Sequence, residues 1–257
     1  MADQLGDVVG RFDGKVAIVT GAGRGIGEAY ARALADAGAV VAVADLDNES
    51  AHQVAKSIES AGGSALAVGV DVSDPSSVHA MADTVVERFG GIDLLVNNAA
   101  IYGGMKLDIL LSVDWDYYRR FMSVNMDGAL LCTRACYPHM QQRGGGAIVN
   151  QSSTAAWMYA GYYALAKVGI NGLTQQLAHE LGGMNIRVNA IAPGPIDTAA
   201  TREVVGGLVD SIVAQTALKR VGSPDDLVGL CLFLLSDDAS LITGQIMAVD
   251  GGHIFRS

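Results

Sequence analysis

Short apolar runs alternate along this chain with longer segments whose apolar residues recur every three or four positions. The runs at 15–20, 40–44, 65–70, 93–96, 147–150, 186–191 and 245–249 are dominated by Val, Ile, Leu and Ala. Near-continuous runs of this length suit strands covered on both faces, where neither side has to be polar. Between them the spacing predicts helices over 25–37, 49–60, 75–89 and 125–142, one containing Tyr163 that runs to 181, and one reaching 235. Gly38 closes the first of these. Asp74-Pro75 opens the third with a capping carboxylate and a proline at the first helical position, and Ser223-Pro224-Asp225-Asp226 repeats that device before the last.

Strand–helix–strand alternation with apolar strands implies a mostly parallel sheet with helices on both faces, and right-handed crossovers make it doubly wound. No Pro- or Ser-rich linker interrupts the pattern, so residues 1–257 are expected to form one α/β domain. A chain of 257 residues, half of them hydrophobic, is long enough for one well-filled core and needs no disulfides. Its 32 glycines fit a fold with many tight turns.

Charge narrows the partners. A formal charge of -10 argues against a nucleic-acid or anionic-membrane surface, which needs clustered Lys and Arg. Cys132, Cys136 and Cys231 form no CxxC pair, so a reducing cytoplasm is the expected location. Cys132, Cys136 and His139 fall on one helical stripe, the spacing of any buried face as much as of a metal site, and no metal is expected. Residues 1–14 are acidic without an apolar signal core, and no run is long and apolar enough to span a membrane.

The first strand-to-helix turn carries the clearest binding signal. Thr20-Gly21-Ala22-Gly23-Arg24-Gly25-Ile26-Gly27 places glycines where a backbone must turn sharply and approach a pyrophosphate closely. The following helix presents free N–H groups and a positive dipole end to it. Asp45, at the end of the second strand and about twenty residues on, is placed to accept hydrogen bonds from an adenosine ribose. A 2′-phosphate there would meet repulsion of up to about 4 kcal/mol per charge before screening. NAD is therefore favoured over NADP, with Arg24 the one residue that could partly neutralise such a phosphate. As a plain turn or cap residue Asp45 would carry no such meaning.

Tyr163 and Lys167 are i and i+4 neighbours on one helix face. For a phenol to accept a proton near neutrality its pKa must fall by roughly two or three units, about 3 to 4 kcal/mol. A cation a few Å away is worth about 4 kcal/mol at an effective dielectric of about 20. Tyr163 is then a general base towards an alcohol and a general acid towards a ketone. Tyr159 and Tyr162 have no lysine at that spacing. Taken singly, the pair is also an ordinary helix-surface pair.

Together with Asn97-Asn98-Ala99-Ala100, Asn125, Ser153, Pro193-Gly194 and Asp250-Gly251-Gly252, these motifs resemble, over the whole chain, a short-chain dehydrogenase/reductase of the single-domain type. That resemblance implies a Rossmann fold with Tyr163 as catalytic acid/base and Lys167 lowering its pKa and holding the nicotinamide ribose. It implies Ser153 positioning the substrate oxygen and Asn125 holding a relay water. Asp71 and Val72 fall where the family contacts adenine, Asn97 and Ala99 where it lines the cofactor groove, and Ile196 and Thr198 where it fixes the carboxamide. Ser152 is an alternative to Ser153, and a plain helix cap is the alternative for Asn125. Two features depart from the common pattern: Ala100 stands where a glycine is usual, and the interval from Ser153 to Tyr163 is short.

Tyr102, Met105, Trp157, Met158 and Tyr159 suggest an apolar, aromatic pocket, covered by a flap over about 199–218. The expected reaction is reversible NAD-linked oxidation of an apolar secondary alcohol or cyclic dihydrodiol, on a general similarity to dihydrodiol dehydrogenases. The alternatives are a 3-oxoacyl-carrier-protein reductase using NADPH and a non-catalytic nicotinamide-binding regulatory protein. A serine hydrolase would need a Gly-x-Ser-x-Gly elbow that the sequence lacks. The small and apolar residues of the Asn125 and Tyr163 helices, which related proteins pair, point to a homo-oligomer, a dimer or tetramer.

Overall fold

The computed structural model describes residues 10–255; the acidic segment expected at 1–14 lies mostly outside the described residues. Seven strands form one parallel sheet in the order β3-β2-β1-β4-β5-β6-β7. They are β1 (Val16–Thr20), β2 (Val40–Asp45), β3 (Ser64–Gly69), β4 (Leu94–Asn97), β5 (Gly146–Gln151), β6 (Ile186–Pro193) and β7 (Ile246–Val249). Every pairing is parallel. The sheet is doubly wound, as the strand–helix alternation implies.

Period-two alternation divides the core between the two faces. Val19, Val43, Val96 and Val149 pack beneath α1 (Gly25–Asp36), α2 (Asn48–Ser60) and α9 (Asp225–Leu235). Ile18, Ala42, Leu95 and Ile148 pack beneath α3 (Pro75–Phe89), α5 (Gly128–Gln142) and α6 (Gly161–Leu181). Cys132 and Cys136 belong to this second layer as free thiols. Burial pushes the Cys132 thiol up to about 12. Among the described residues no group of three or more His, Cys, Asp or Glu could hold a metal, and no helix is long and apolar enough to cross a membrane.

Two helix starts differ from the sequence reading. The helix expected from Asn125 begins ten residues earlier, as α4 (Trp115–Met122), where Asp114 accepts the Tyr117 N–H at 2.9 Å. A π-helical turn over Ser123–Asp127 joins α4 to α5, so Asn125 lies inside a continuous helical segment and is not a cap. At α9 the serine does not cap. Asp226 reaches back instead, accepting the Ser223 N–H at 2.7 Å and pairing with Arg220.

Candidate active site

The sheet order reverses between β1 and β4, and a crevice opens there at the carboxyl ends of the strands, the place where doubly wound sheets bind ligands. The glycine loop forms one wall. Gly21 (φ 62°) and Gly25 (φ 61°) adopt left-handed backbone, which favours glycine. A Cβ on Gly27 would lie 2.1 Å from the Gly21 carbonyl oxygen, and one on Gly23 would lie 3.0 Å from Asp45 Oδ2. Helix α1 starts at Gly25 with no side-chain cap on Arg24, so its first N–H groups face the crevice for an anion. The Gly25 backbone faces Thr198, whose Cγ2 would be 3.8 Å from an added Cβ, across the groove. These residues fit a dinucleotide.

Asp45 is 9% exposed. Its carboxylate accepts the Gly23 N–H at 2.8 Å and the Asp47 N–H at 3.0 Å, so it is fixed against the loop at the end of β2. Arg24 is exposed beside it. Asp71 and Val72 follow β3, and Val72 is buried against Gly128. Asn98, absent from the sequence-based candidates, pins the loop from the β4 side by donating to the Thr20 and Gly21 carbonyls, both at 3.0 Å. Thr20 Oγ1 in turn accepts the Asn98 and Ala99 N–H groups. Asn97 turns inward and donates to Asn150 Oδ1 at 2.9 Å, while its own Oδ1 is buried without a partner.

Opposite the glycine loop, α6 presents Tyr163 and Lys167. Ser153, which caps a short 3-10 turn (Thr154–Trp157) after β5, hydrogen-bonds the Tyr163 phenol. Ser152 points the other way and donates to Asn171 at 2.6 Å. The backbone thus turns one of the two serines to the phenol, and it is Ser153. Lys167 is 3% exposed, its Nζ 5.7 Å from the centre of the Tyr163 ring. That ammonium donates 2.8 Å to the Gln151 carbonyl, a backbone partner with no side-chain signature in sequence.

Here the electrostatics differ from the sequence reading. Burial among Tyr102, Phe121 and the β5 turn pushes the Tyr163 phenol above its ordinary value; the Ser153 hydrogen bond pulls it back and Tyr102 adds to the rise. Burial also lowers Lys167 to about 8. Desolvation is therefore the largest influence on both groups.

Asn125 is 2% exposed and engages Ile101 twice, accepting its N–H at 2.8 Å and donating to its carbonyl at 2.9 Å. Its amide is thus committed to backbone, and it does not itself reach Lys167. Between them lies a polar cavity bounded by Thr20, Asn97, Gln151 and Lys167 as well as Asn125, with about 10 Å³ open to the centre of a water molecule. That is on the order of one water.

The far wall is aromatic. Tyr102 lies 5.3 Å from the Tyr163 ring, centre to centre, and its hydroxyl reaches Thr201 on α7 (Ala199–Val205). Met105 packs in the same cluster, whereas Met158 and Tyr159 are exposed. Tyr162 is an anchor instead, packing 4.7 Å from Phe121 and donating to the Lys106 carbonyl. On the β6 side Pro193 accepts from Thr154 Oγ1, Gly194 approaches Asp250 too closely for a side chain, and Ile196 bridges to Gly222. Thr198 caps α7 by accepting the Thr201 N–H at 3.1 Å. Helix α8 (Val209–Gln215) completes the flap segment.

A protein-family model described as enoyl-(acyl carrier protein) reductase matches residues 21–253. An uncharacterised oxidoreductase of Mycobacterium tuberculosis is 68% identical over 96% of this chain and all of its own length. The 7α-hydroxysteroid dehydrogenase of Escherichia coli K12 is 37% identical over 95% of this chain and 96% of its own. A solved 7α-hydroxysteroid dehydrogenase, complexed with NADH and 7-oxo glycochenodeoxycholic acid, superposes with a TM-score of 0.91 at 35% identity, over 97% of this chain and 98% of that one. With the glycine loop, the Ser153-Tyr163-Lys167 cluster and the parallel sheet already in place, these likenesses identify the chain as an oxidoreductase acting on CH-OH groups: it belongs to the short-chain dehydrogenase/reductase family.

Proposed function

We propose that the whole chain is one catalytic domain that interconverts a cyclic or bulky apolar secondary alcohol, a dihydrodiol among them, and its ketone or dehydrogenated counterpart, with NAD. The observation that carries the reading is the Tyr163 phenol, hydrogen-bonded to Ser153 with the Lys167 ammonium 5.7 Å from its ring. Asp45, fixed against Gly23, supports NAD over NADP through repulsion of a 2′-phosphate. The aromatic wall of Tyr102 beside Tyr163 supports an apolar cyclic substrate. The steroid-bound relative handles a substrate of that shape.

In this mechanism NAD supplies the hydride chemistry at its nicotinamide ring. Gly21, Gly23, Gly25 and Gly27 let the backbone approach the pyrophosphate, and Arg24 and Ile26 lie at the α1 start that receives it. Asp45 takes the ribose hydroxyls, and Ile196 and Thr198 hold the carboxamide end. Ser153 donates to the substrate oxygen and orients it over Tyr163. Tyr163 then accepts the hydroxyl proton in oxidation and returns it in reduction. Because burial keeps the phenol protonated, Tyr163 is ready as an acid, and oxidation draws on Lys167 to make the phenolate accessible. A water in the Asn125–Lys167 cavity would carry the proton from Lys167 towards solvent.

A screen of cyclic secondary alcohols, dihydrodiols and steroid alcohols, followed by NADH absorbance, tests this reading. NAD-linked turnover is expected. The second reading, a 3-oxoacyl-carrier-protein reductase, draws on the acyl-carrier-protein description of the matching family model. It would show as NADPH-linked reduction of 3-oxoacyl thioesters with no alcohol turnover. Tight cofactor binding without any turnover would point to a regulatory protein.

A further inference from the structure

The end of β5 meets α6 through polar contacts made at each successive residue. Asn150 Nδ2 donates to Thr174 Oγ1 at 2.9 Å, the Gln151 carbonyl accepts from Lys167 Nζ at 2.8 Å, Ser152 Oγ donates to Asn171 Oδ1 at 2.6 Å, and Ser153 bonds the Tyr163 phenol. Tyr163, Lys167 and Asn171 stand four residues apart, so they follow one another along a single face of the helix. The contacts at Tyr163 and Lys167 belong to the proposed chemistry. The Asn150–Thr174 bond is fully buried, about three turns from Tyr163, and serves the core. The Ser152–Asn171 bond lies one turn beyond Lys167 and has no part in either.

Ser152 is fixed before it meets the helix. It is buried, and its N–H donates to the Ile191 carbonyl at 2.7 Å, which locks it into the sheet beside β6. The lower part of α6 is held differently, by burial of Leu177, Ala178 and Leu181. Apolar contact is non-directional, so by itself it sets neither the slide nor the rotation of a helix over a sheet. A short hydrogen bond has a preferred length and angle, and does. Asn171 is only half-buried, so without Ser152 its carbonyl turns to water instead of being stranded, and the fold loses little. Placement of α6, more than stability, is what this bond supplies.

We infer that Ser152 is a positioning residue for catalysis: through Asn171 it sets where α6 lies against the end of β5, and so how closely Ser153 and the Gln151 carbonyl meet Tyr163 and Lys167. This rests on the acid/base reading of Tyr163 above. Ser152 acts through the helix and takes no part in proton transfer itself.

The test compares wild type, Ser152→Ala, Asn171→Ala and the double variant in NAD-linked oxidation of a cyclic secondary alcohol across pH. Each single variant is expected to lower kcat by about tenfold, short of the roughly hundredfold that a misplacement of about 1 Å costs. The double variant is expected to be no slower than the single ones, since all three remove the same bond. The rise of kcat with pH is expected to move to higher pH, because the Ser153 hydrogen bond holds the phenol's pKa down and a more distant Ser153 does so less. KM for the alcohol, NADH affinity and the unfolding midpoint stay near wild type. An unchanged kcat and pH profile in Ser152→Ala, additive losses in the double variant, or a loss of rate that follows a lowered unfolding midpoint with the pH profile in place overturns the inference and leaves the reading of Tyr163 standing. Tyr163→Phe is assayed alongside: full turnover there, or none in wild type, removes both.

Discussion

Lys167 lies one helical turn beyond Tyr163 on α6, its Nζ 5.7 Å from the phenol ring centre and 2.8 Å from the Gln151 carbonyl oxygen. The ammonium is thus gripped by the end of β5 rather than by the phenol. Burial then moves both groups towards their neutral forms, Tyr163 upward and Lys167 down to about 8. The phenol of such a site rests protonated, and taking a proton from an alcohol first requires the phenolate to be made accessible.

The lysine leaves a signature in stability. Its pKa is about 8 when folded and about 10.4 when unfolded. Between these values the unfolded chain binds more protons, so stability rises with pH across that window and is flat with respect to this group below it. Denaturant unfolding of the cofactor-free protein should show wild type gaining about 2 to 3 kcal/mol on Lys167→Met between pH 7 and pH 10. An identical pH dependence in the two proteins would mean that Lys167 is not desolvated.

Asp45→Ala should invert the cofactor preference. The variant loses a ribose acceptor and the repulsion of a 2′-phosphate together, so NADH binding weakens by about tenfold and NADPH binding tightens. Calorimetric titration of each cofactor reads the ratio directly. An unchanged ratio would assign the Gly23 contact of Asp45 to loop geometry alone.

Gly27→Ala should abolish the thermal stabilisation that NADH gives wild type, because the new Cβ would lie 2.1 Å from the Gly21 carbonyl oxygen, a backbone atom that cannot step aside cheaply. Gly183→Ala, with nothing within 4 Å of the added carbon, should keep the full NADH-dependent shift in Tm. A shift retained in Gly27→Ala would dissociate the loop from cofactor binding.

We propose that α6 carries the face for the expected self-association. Leu165 and Val168 project from α6 at 42% and 49% exposure, on the helix proposed to pair with a second copy. Light scattering at micromolar concentration should give a dimer or tetramer, and Val168→Asp should lower that mass. A monomeric wild type would remove the proposal.

Much of this was legible in the chain itself. The seven apolar runs located the strands to within a residue or two because buried parallel strands tolerate few polar residues. Gly21 to Gly27 and Asp45 were marked by their places after the first and second strands, and Tyr163 by the company of the other motifs, since its spacing from Lys167 alone is also that of an ordinary helix-surface pair. The start of α4 was missed because Trp115 to Ser123 mixes aromatics with two arginines, which is why the helix was expected to begin at Asn125, a residue that lies in a π turn. The lysine's grip on Gln151 was invisible, since a backbone acceptor has no residue type. Nor could the phenol's upward shift be read, because Tyr102 and Phe121, which bury it, lie some 40 to 60 residues away in sequence.

Tyr163→Phe, assayed for NAD-linked turnover of whichever cyclic alcohol wild type accepts, tests the proton transfer most directly. The expected result is a fall in kcat of about a thousandfold, with NADH affinity and the unfolding midpoint held near wild type. Turnover retained within a few fold of wild type would contradict the assignment of Tyr163 as the acid/base.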